Sequence, residues 1–303
     1  MKNTQHLLAT LAAVIILAFF SVALTNCKTR SKAKQSETET FEETLSKAEQ
    51  GERETDVKTP HKAKKSDPEE TFEQKRYKAA MGDAKAQFYV GMCYAEGRGV
   101  TEDDAEAVRW FRKAAEQGDA DAQFYVGMCY AEGRGVTEDD AEAVKWFRKA
   151  AEQGDADAQF NVGVCYDTGT GLVKNEAEAV KWHLKAAEQG LARAQFNLGV
   201  YYSNGQRVVK NEVEAVKWYL KAAEQGHAGA QNNLGACYNN GTGVVKNDLL
   251  AYKWWLLASA NGEEMARKNV PKLEAKITAE QRAEGQRLAT EWQAAFEKRQ
   301  EEK

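Results

Sequence analysis

The chain has 303 residues, of which 43% are apolar, 29% are charged and three are prolines. This length allows one large domain or two ordinary ones, and the apolar fraction is too high for a chain that is disordered throughout. The 42 Lys and Arg against 46 Asp and Glu give a formal net charge of −4, so no chain-wide positive field gathers phosphates. Nucleic acid is therefore a poor candidate partner.

The first 27 residues have the pattern of a targeting segment. After a short polar start, residues 7–24 are apolar except for Thr10 and Ser21, which is typical of a signal-peptide core or of a membrane span of minimal length. Leu24-Thr25-Asn26-Cys27 follows directly and resembles the lipobox of bacterial lipoproteins, in which the signal is removed before a cysteine that then carries acyl chains. Asn26 departs from that pattern, which prefers Gly, Ala or Ser at this position.

We expect Cys27 to be lipidated and the protein to be exported to a bacterial cell envelope. Two alternatives remain: a cleaved signal without lipid, and an uncleaved N-terminal membrane anchor. Basic residues after the apolar run favour the uncleaved anchor, because the positive-inside tendency keeps such a flank in the cytoplasm. These residues are Lys28, Arg30, Lys32 and Lys34.

Residues 28–70 are predicted to be a disordered charged linker. They are rich in Lys, Glu, Thr and Ser and contain few large apolar residues, so they cannot bury a core. This composition predicts a tether between the membrane and the folded domain. A binding role for the basic cluster of Lys62, Lys64 and Lys65 is the alternative.

The rest of the chain is one unit copied five times at a period of 36 residues. Periods of about 20 to 50 residues indicate a solenoid or a related array. The first two units differ at only two positions, Lys85 against Asp121 and Arg109 against Lys145. The mid-helix glycines, of which Gly91 is the first, predict close packing between helices. The recurring residues are Gly82, Gly118, Gly154, Gly190, Gly226 and Gly262; Gly91, Gly127, Gly163, Gly199 and Gly235; and Trp110, Trp146, Trp182, Trp218 and Trp254.

Each unit predicts two helices. In the first unit, Ala86, Val90 and Tyr94 recur at helical spacing and predict a first helix over residues 84–96, which Gly97 ends. The second helix begins at an N-cap residue, and a glutamate follows three positions later in four of the five units, which is a capping-box spacing. The predicted N-caps are Asp103, Asp139, Asn175, Asn211 and Asn247.

This unit resembles the Sel1-like repeat, a relative of the tetratricopeptide repeat. The resemblance implies an all-α fold, a right-handed superhelical α-solenoid of helix-turn-helix repeats that serves as a scaffold for protein complexes. Residues 71–261 would then form five repeats with an N-terminal capping helix, and residues 262–303 would form C-terminal capping helices. The motifs that carry the resemblance are Ala86-Gln87, Val90-Gly91, Tyr94, Gly97-Arg98-Gly99-Val100, Asp103 and Trp110-Phe111-Arg112-Lys113-Ala114-Ala115.

Residues 262–303 leave the period but keep a helical pattern. Thr278 is a predicted N-cap, and an apolar stripe that contains Trp292 and Phe296 fits a helix that closes the stack. Such a helix is expected because terminal repeats need a polar outer face. Pro271 is expected to mark a helix start or a kink.

No catalytic or metal-binding pattern occurs in the sequence. The four histidines are scattered without paired-ligand spacing, and the glycine turns lack the lysine of a phosphate-binding loop. Cysteine-rich relatives of this family have been linked to β-lactam binding, but the only S-x-x-K, from Ser31 to Lys34, lies in the linker, and no KTG or SDN triplet occurs. We therefore expect no cofactor, no metal and no enzymatic activity.

A cysteine recurs at one helix position in units one, two, three and five, and Tyr201 replaces it in unit four. Equivalent residues in stacked helix pairs lie about 9 to 10 Å apart, which is beyond disulfide reach. The cysteines are therefore predicted to be small buried apolar residues, and reactive thiols are the alternative. They are Cys93, Cys129, Cys165 and Cys237.

The candidate binding surface comes from the helical wheel of the first helix in each unit. With Val90 at the centre of the buried face, Phe88 and Met92 fall on the opposite side, which is concave in tetratricopeptide-like stacks. An apolar ladder there predicts a groove for a peptide or helix of a partner protein. Packing between adjacent first helices is the alternative. The predicted partner-binding residues are Lys85, Phe88, Met92, Asp121, Phe124, Met128, Phe160, Val164, Phe196 and Val200.

The sequence thus predicts a non-enzymatic interaction scaffold that is tethered at the cell envelope and binds a protein partner. The alternative is an envelope hydrolase that acts on β-lactam or cell-wall substrates, as suggested for the cysteine-rich relatives. Such an enzyme would need an acid and a base that converge on the substrate.

Overall fold

The computed structural model describes residues 71–302, which contain thirteen α-helices and no strand. This confirms the predicted all-α solenoid of 36-residue helix pairs. The predictions for residues 1–27 and 28–70 lie outside the described residues. The helices are α1 (Phe72–Ala80), α2 (Ala84–Glu96), α3 (Asp104–Glu116), α4 (Ala120–Glu132), α5 (Asp140–Glu152), α6 (Ala156–Thr168), α7 (Glu176–Glu188), α8 (Ala192–Asn204), α9 (Glu212–Ala223), α10 (Ala228–Asn240), α11 (Asp248–Ala260), α12 (Glu264–Glu274) and α13 (Ala279–Glu301).

Turn residues set the boundaries of the paired helices. Each first helix, from α2 to α10, ends at a glycine whose φ lies between 65° and 82°, a left-handed conformation that side chains disfavour. Each second helix, from α3 to α11, begins at the predicted Asp or Asn, whose side chain accepts a hydrogen bond from a backbone N–H of the first turn. The local sequence therefore fixes where both helices of a repeat begin and end.

The predicted capping box is only half formed in the later repeats. Glu142 pairs with Lys145 at 2.5 Å, on the next turn of α5, and the equivalent glutamates of α7 and α9 do the same. Reciprocal capping boxes form at Thr71 and at Thr278, the starts of the first and last helices. In the repeats, the glutamate therefore stabilises the exposed helix surface rather than the helix start.

The mid-helix glycines hold the two helices of a repeat together. A Cβ atom at Gly91 would lie 2.5 Å from the ring of Phe111, and one at Gly127 would lie 2.6 Å from the ring of Phe147. Any larger residue would push the second helix away, which confirms the predicted close packing. The ring that covers the glycine differs between repeats and is Phe111, Phe147, His183, Tyr219 or Trp255.

A buried glutamine in each first helix joins consecutive repeats. The Gln159 side chain is 5% exposed. Its Nε2 donates to the backbone carbonyl of Ala151, at the end of the preceding repeat, at 3.1 Å. Its Oε1 accepts from Nε2 of Gln189, at the end of its own repeat, at 2.8 Å. We call this series the glutamine ladder, and its other members are Gln87, Gln123, Gln195 and Gln231, with Asn261 as the final donor.

Two further helices follow the fifth repeat and pack on α11. The Trp292 ring of α13 meets the Trp254 ring edge to face at 5.9 Å and stacks on Phe296 at 5.0 Å. Pro271 lies inside α12, so it does not mark a helix start. From residue 71 to residue 302, no helix combines the length and the apolar character needed to cross a membrane.

The glutamine ladder gives the first testable prediction. Gln159→Met is expected to lower the free energy of unfolding by about 1 to 3 kcal/mol, because two buried hydrogen bonds worth about 0.5 to 1.5 kcal/mol each are lost. Urea denaturation measures the change. Gln300→Met, on the exposed last turn of α13, is the control and should stay within about 0.5 kcal/mol of the parent. Equal losses for the two variants would contradict a structural role for the ladder.

Candidate functional site

The predicted binding surface runs along the first helices of repeats one to four. We call it the phenylalanine face. Its side chains are half-buried and keep part of their surface in solvent, and seven of the eight pack on core clusters. The face consists of Phe88, Phe124, Phe160 and Phe196 together with Met92, Met128, Val164 and Val200.

Each phenylalanine of the face rests on a ring of its own second helix. The Phe88 ring centroid lies 5.7 Å from that of Phe111 and 5.4 Å from that of Tyr125 on the next first helix. The Phe160 centroid lies 5.1 Å from that of His183. The helical wheel overstates the exposure of these side chains, because it ignores the second helix and the neighbouring repeat. The rings therefore combine a structural contact with a solvent-facing edge, and partner binding by them stays a prediction.

The charged positions of the predicted surface are occupied differently in successive repeats. Lys85 and Asp121 are exposed. At the same position in the next two repeats, Asp157 and Arg193 form an ion pair across the repeat boundary. The Arg193 guanidinium lies 4.4 Å from the ring centroid of Phe160, so it covers one ring of the face. Sequence reasoning missed this pair, although both residues share the register of Lys85.

The chemistry of the first helices changes along the stack. Tyr89 and Tyr125 lie four residues after Lys85 and Asp121, and therefore on the same side of the helix. Asparagine holds this position in the last three repeats, and at residue 232 it also replaces the phenylalanine of the face. The N-terminal end is thus aromatic, whereas the C-terminal end is rich in side-chain amides. These asparagines are Asn161, Asn197, Asn232 and Asn233.

A polar cluster lies between repeats three and four. Nε2 of His183 is 3.3 Å from Oδ2 of Asp167, and the hydroxyl of Tyr201 donates to the same oxygen. Nε of Arg207 lies 2.7 Å from Oδ1 of Asp167. We call these four residues the Asp167 cluster. Sequence reasoning noted Tyr201 and His183 only singly, since residues 16 to 40 positions apart give no local signal of contact.

The contacts of the cluster favour the charged form of the Asp167 carboxyl group. Burial alone would raise the pKa of this carboxyl group, but the hydrogen bonds with His183 and Tyr201 and the positive charge of Arg207 together lower it below its ordinary value. Burial and the contact with Asp167 raise the pKa of Tyr201. The His183 side chain has no exposed surface, so this acid–base pair does not reach a substrate in solvent. The hydrolase alternative therefore gains no catalytic site from the cluster.

The cysteines of the repeats are buried and free, as predicted. Burial raises the pKa of Cys129, Cys165 and Cys237 to about 11, so the reactive thiolate is scarce at neutral pH. Within the described part of the chain, no three His, Cys, Asp or Glu side chains are grouped to hold a metal ion. Cys27, the predicted lipidation site, lies outside the described residues.

The raised thiol pKa values give the second prediction. At pH 8, iodoacetamide should label Cys129, Cys165 and Cys237 at least about a hundredfold more slowly in the native protein than in denaturant, since two pKa units reduce the thiolate fraction about that much and burial adds to it. Peptide mapping by mass spectrometry separates each cysteine from Cys27. Labelling should accelerate as the pH rises toward 11. Native labelling at the denatured rate would contradict the burial of these thiols.

The repeat unit matches a known family, described as Sel1 repeat. Solved structures that are similar to this chain include the following two. A protective antigen of uropathogenic Escherichia coli with an SLR fold is 35% identical, with a TM-score of 0.68, and the match covers 77% of this chain and 51% of that one. A Sel1 repeat protein from Oxalobacter formigenes is 36% identical, with a TM-score of 0.61, and the match covers 69% of this chain and 86% of that one. The family matches residues 84–119, 120–155, 156–191, 192–227 and 228–263.

The chain thus spans about half the length of the Escherichia coli antigen. No curated protein sequence matches it significantly.

Proposed function

The chain belongs to the Sel1 repeat family, whose members generally are non-catalytic protein-interaction scaffolds, and we propose that it binds a peptide or helix of a partner protein on its phenylalanine face. The observation that carries the proposal is the row of four half-buried phenylalanines at one position of four consecutive repeats. A partner segment can bury the exposed edges of several rings at once. Aromatic anchors of this kind dominate the affinity of many protein interfaces.

The spacing of the row restricts the partner. Equivalent residues of stacked repeats lie about 9 to 10 Å apart at ordinary helix-packing distances. A polyproline II segment places every third side chain on one face at about the same interval, 3.1 Å per residue. An α-helix places every seventh side chain there, at about 10.5 Å. We therefore expect a partner segment with an apolar side chain at every third or every seventh position.

The ends of the first-helix surface differ in a way that orients such a segment. Tyr89 and Tyr125 give the N-terminal end aromatic surface, and the asparagines of repeats three to five give the C-terminal end amide donors and acceptors. The apolar part of the partner is expected over repeats one and two, and its polar part over repeat five. The exposed charges of Lys85 and Asp121, of opposite sign on adjacent repeats, favour one direction of binding over the reverse.

We further propose that the scaffold is tethered at a bacterial cell envelope by lipid on Cys27. The apolar run of residues 7–24 and the lipobox-like sequence directly after it support this location. The charged segment of residues 28–70 would separate the anchor from the repeats. An uncleaved N-terminal anchor and a cleaved signal without lipid are the other outcomes of the test.

The third prediction tests the phenylalanine face. The repeat domain is used as bait on native membranes, and the captured partner is then titrated against the variants. Phe124→Ala combined with Phe160→Ala is expected to weaken affinity per folded molecule by a factor of about 800 or more, since the two interface anchors contribute about 2 kcal/mol or more each. It should also lower the melting temperature, because the rings are half-buried. Fluorescence anisotropy and thermal unfolding on the same samples separate the two effects.

A control for this experiment is Leu273→Ala. Leu273 of α12 is 2% exposed and packs in a core cluster that contains no residue of the face, so this variant should lose stability and keep its affinity per folded molecule. If the double variant also keeps its affinity per folded molecule, the phenylalanines are wall residues and the proposed site is wrong.

The fourth prediction concerns the anchor. Cys27→Ser should move the protein from the membrane to the soluble fraction if acyl chains hold it, and it should abolish incorporation of labelled fatty acid. Fractionation followed by immunoblotting measures the shift. A variant that stays in the membrane with residues 1–26 intact would identify an uncleaved anchor instead.

A further inference from the structure

The junction between repeats three and four departs from the other junctions at the four positions of the Asp167 cluster. Repeat three supplies Asp167 and His183, and repeat four supplies Tyr201 and Arg207. Each departure is unfavourable alone: the carboxylate of Asp167 and the guanidinium of Arg207 become largely buried. The imidazole of His183 enters the core, and Tyr201, which is 5% exposed, brings a hydroxyl group with it. At the same positions the first two repeats have Ala95 and Ala131, Phe111 and Phe147, Cys93 and Cys129, and Gly99 and Gly135.

Arg207 takes a backbone conformation that glycine holds elsewhere. Its φ of 65° makes it the one non-glycine residue with positive φ in the described part of the chain. At the equivalent Gly135, Gly171 and Gly243, a Cβ atom would lie 2.1 to 2.3 Å from a backbone oxygen of the preceding repeat. Arginine at this position therefore requires both a strained backbone and a turn that lies further from repeat three.

The four departures compensate one another. Oδ2 of Asp167 accepts a hydrogen bond from Tyr201 and lies 3.3 Å from Nε2 of His183. Its Oδ1 forms an ion pair with Nε of Arg207 at 2.7 Å, without hydrogen-bond geometry. The Arg207 guanidinium also lies 4.7 Å from the ring centroid of Tyr201. The side chains of Asp167 and Arg207 are only 14% and 18% exposed, so either of them without the other would be a largely buried, unpaired charge. The two opposite charges come from different repeats, so only the stacking of repeat four on repeat three pairs them.

We propose that the Asp167 cluster is a register lock: it allows repeat four to stack on repeat three and disfavours stacking on any other repeat. The glutamine ladder has the same residues at the internal junctions, and repeats one and two differ at only two positions. Neither the glutamine ladder nor the sequence of these two repeats therefore distinguishes the correct junction from one in which a repeat stacks on the wrong neighbour. If repeat four stacked on repeat two, Arg207 would face Ala131 rather than Asp167. Buried polar groups act as register devices in this way because wrong pairings leave them unpaired.

A double-mutant cycle on the full chain tests the lock, with the unfolding equilibrium constant measured by urea denaturation. Asp167→Ala should raise this constant at least about thirtyfold, and Arg207→Gly should raise it about tenfold in the parent. In the Asp167→Ala background, Arg207→Gly should instead lower the constant, because it removes a strained and unpaired arginine. Equal effects of Arg207→Gly in both backgrounds would overturn the proposal.

The control for this cycle is the pair Asp157 and Arg193, which joins the same two repeats. Its side chains are 51% and 42% exposed, so the coupling between Asp157→Ala and Arg193→Gly should stay below about threefold. Coupling as large as that of the Asp167 cluster would show that any ion pair at this junction behaves alike, which would also overturn the lock.

Deletion of one repeat separates register from simple stabilisation. Removal of residues 120–155 keeps the cluster, whereas removal of residues 156–191 places Tyr201 and Arg207 on repeat two. The second deletion should have the lower denaturation midpoint, and Tyr201→Cys with Arg207→Gly should restore it to that of the first. Equal midpoints, or no restoration, would refute the proposal. If neither shortened chain folds, the cycle on the full chain decides it.

Discussion

The stacking of the repeats depends on hydrogen-bond donors for the backbone carbonyl groups at the buried helix ends. A helix leaves its last carbonyl groups without partners in the helix, and stacking repeats buries some of them at every boundary. The carbonyl of Ala151 accepts from the backbone N–H of Gly154 in its own repeat. The glutamine ladder adds a donor from the next repeat: Gln159 donates to Ala151 and accepts from Gln189 of its own repeat. Each repeat is thereby tied to the next by the same two bonds. This constraint sets a uniform stacking geometry, on which the regular spacing of the phenylalanine face depends.

The phenylalanine face and the core are in direct contact, because each phenylalanine of the face packs on a buried ring of the second helix. The ring that covers each mid-helix glycine, such as Phe111 over Gly91, also supports the phenylalanine of the face in front of it. A partner that binds the exposed edges therefore meets rings that the core already holds in place, and little side-chain entropy remains to be lost on binding. The same coupling means that truncation of a face residue affects stability as well as affinity.

The Asp167 cluster makes the junction between repeats three and four chemically different from the other junctions of the stack. His183 replaces a phenylalanine next to Phe160, and the guanidinium of Arg193 also contacts the Phe160 ring. The change from tyrosine to asparagine neighbours lies one junction earlier, between Tyr125 of repeat two and Asn161 of repeat three. The lock therefore fixes the order of the two repeats that follow this change.

The sequence by itself determined the period, the helix pairs and their ends, because these depend on residues close together in the chain. Asp103 caps α3 and Gly97 ends α2 through bonds within one turn, and Gly91 signals close packing by its lack of a side chain. What the tertiary structure decided depends on residues in different repeats. The half-burial of Phe88 reflects Tyr125 on the next repeat, and the ladder joins amides that lie 30 residues apart. Asp167 and Arg207 meet only because stacking brings two turns together, and no local pattern encodes that approach.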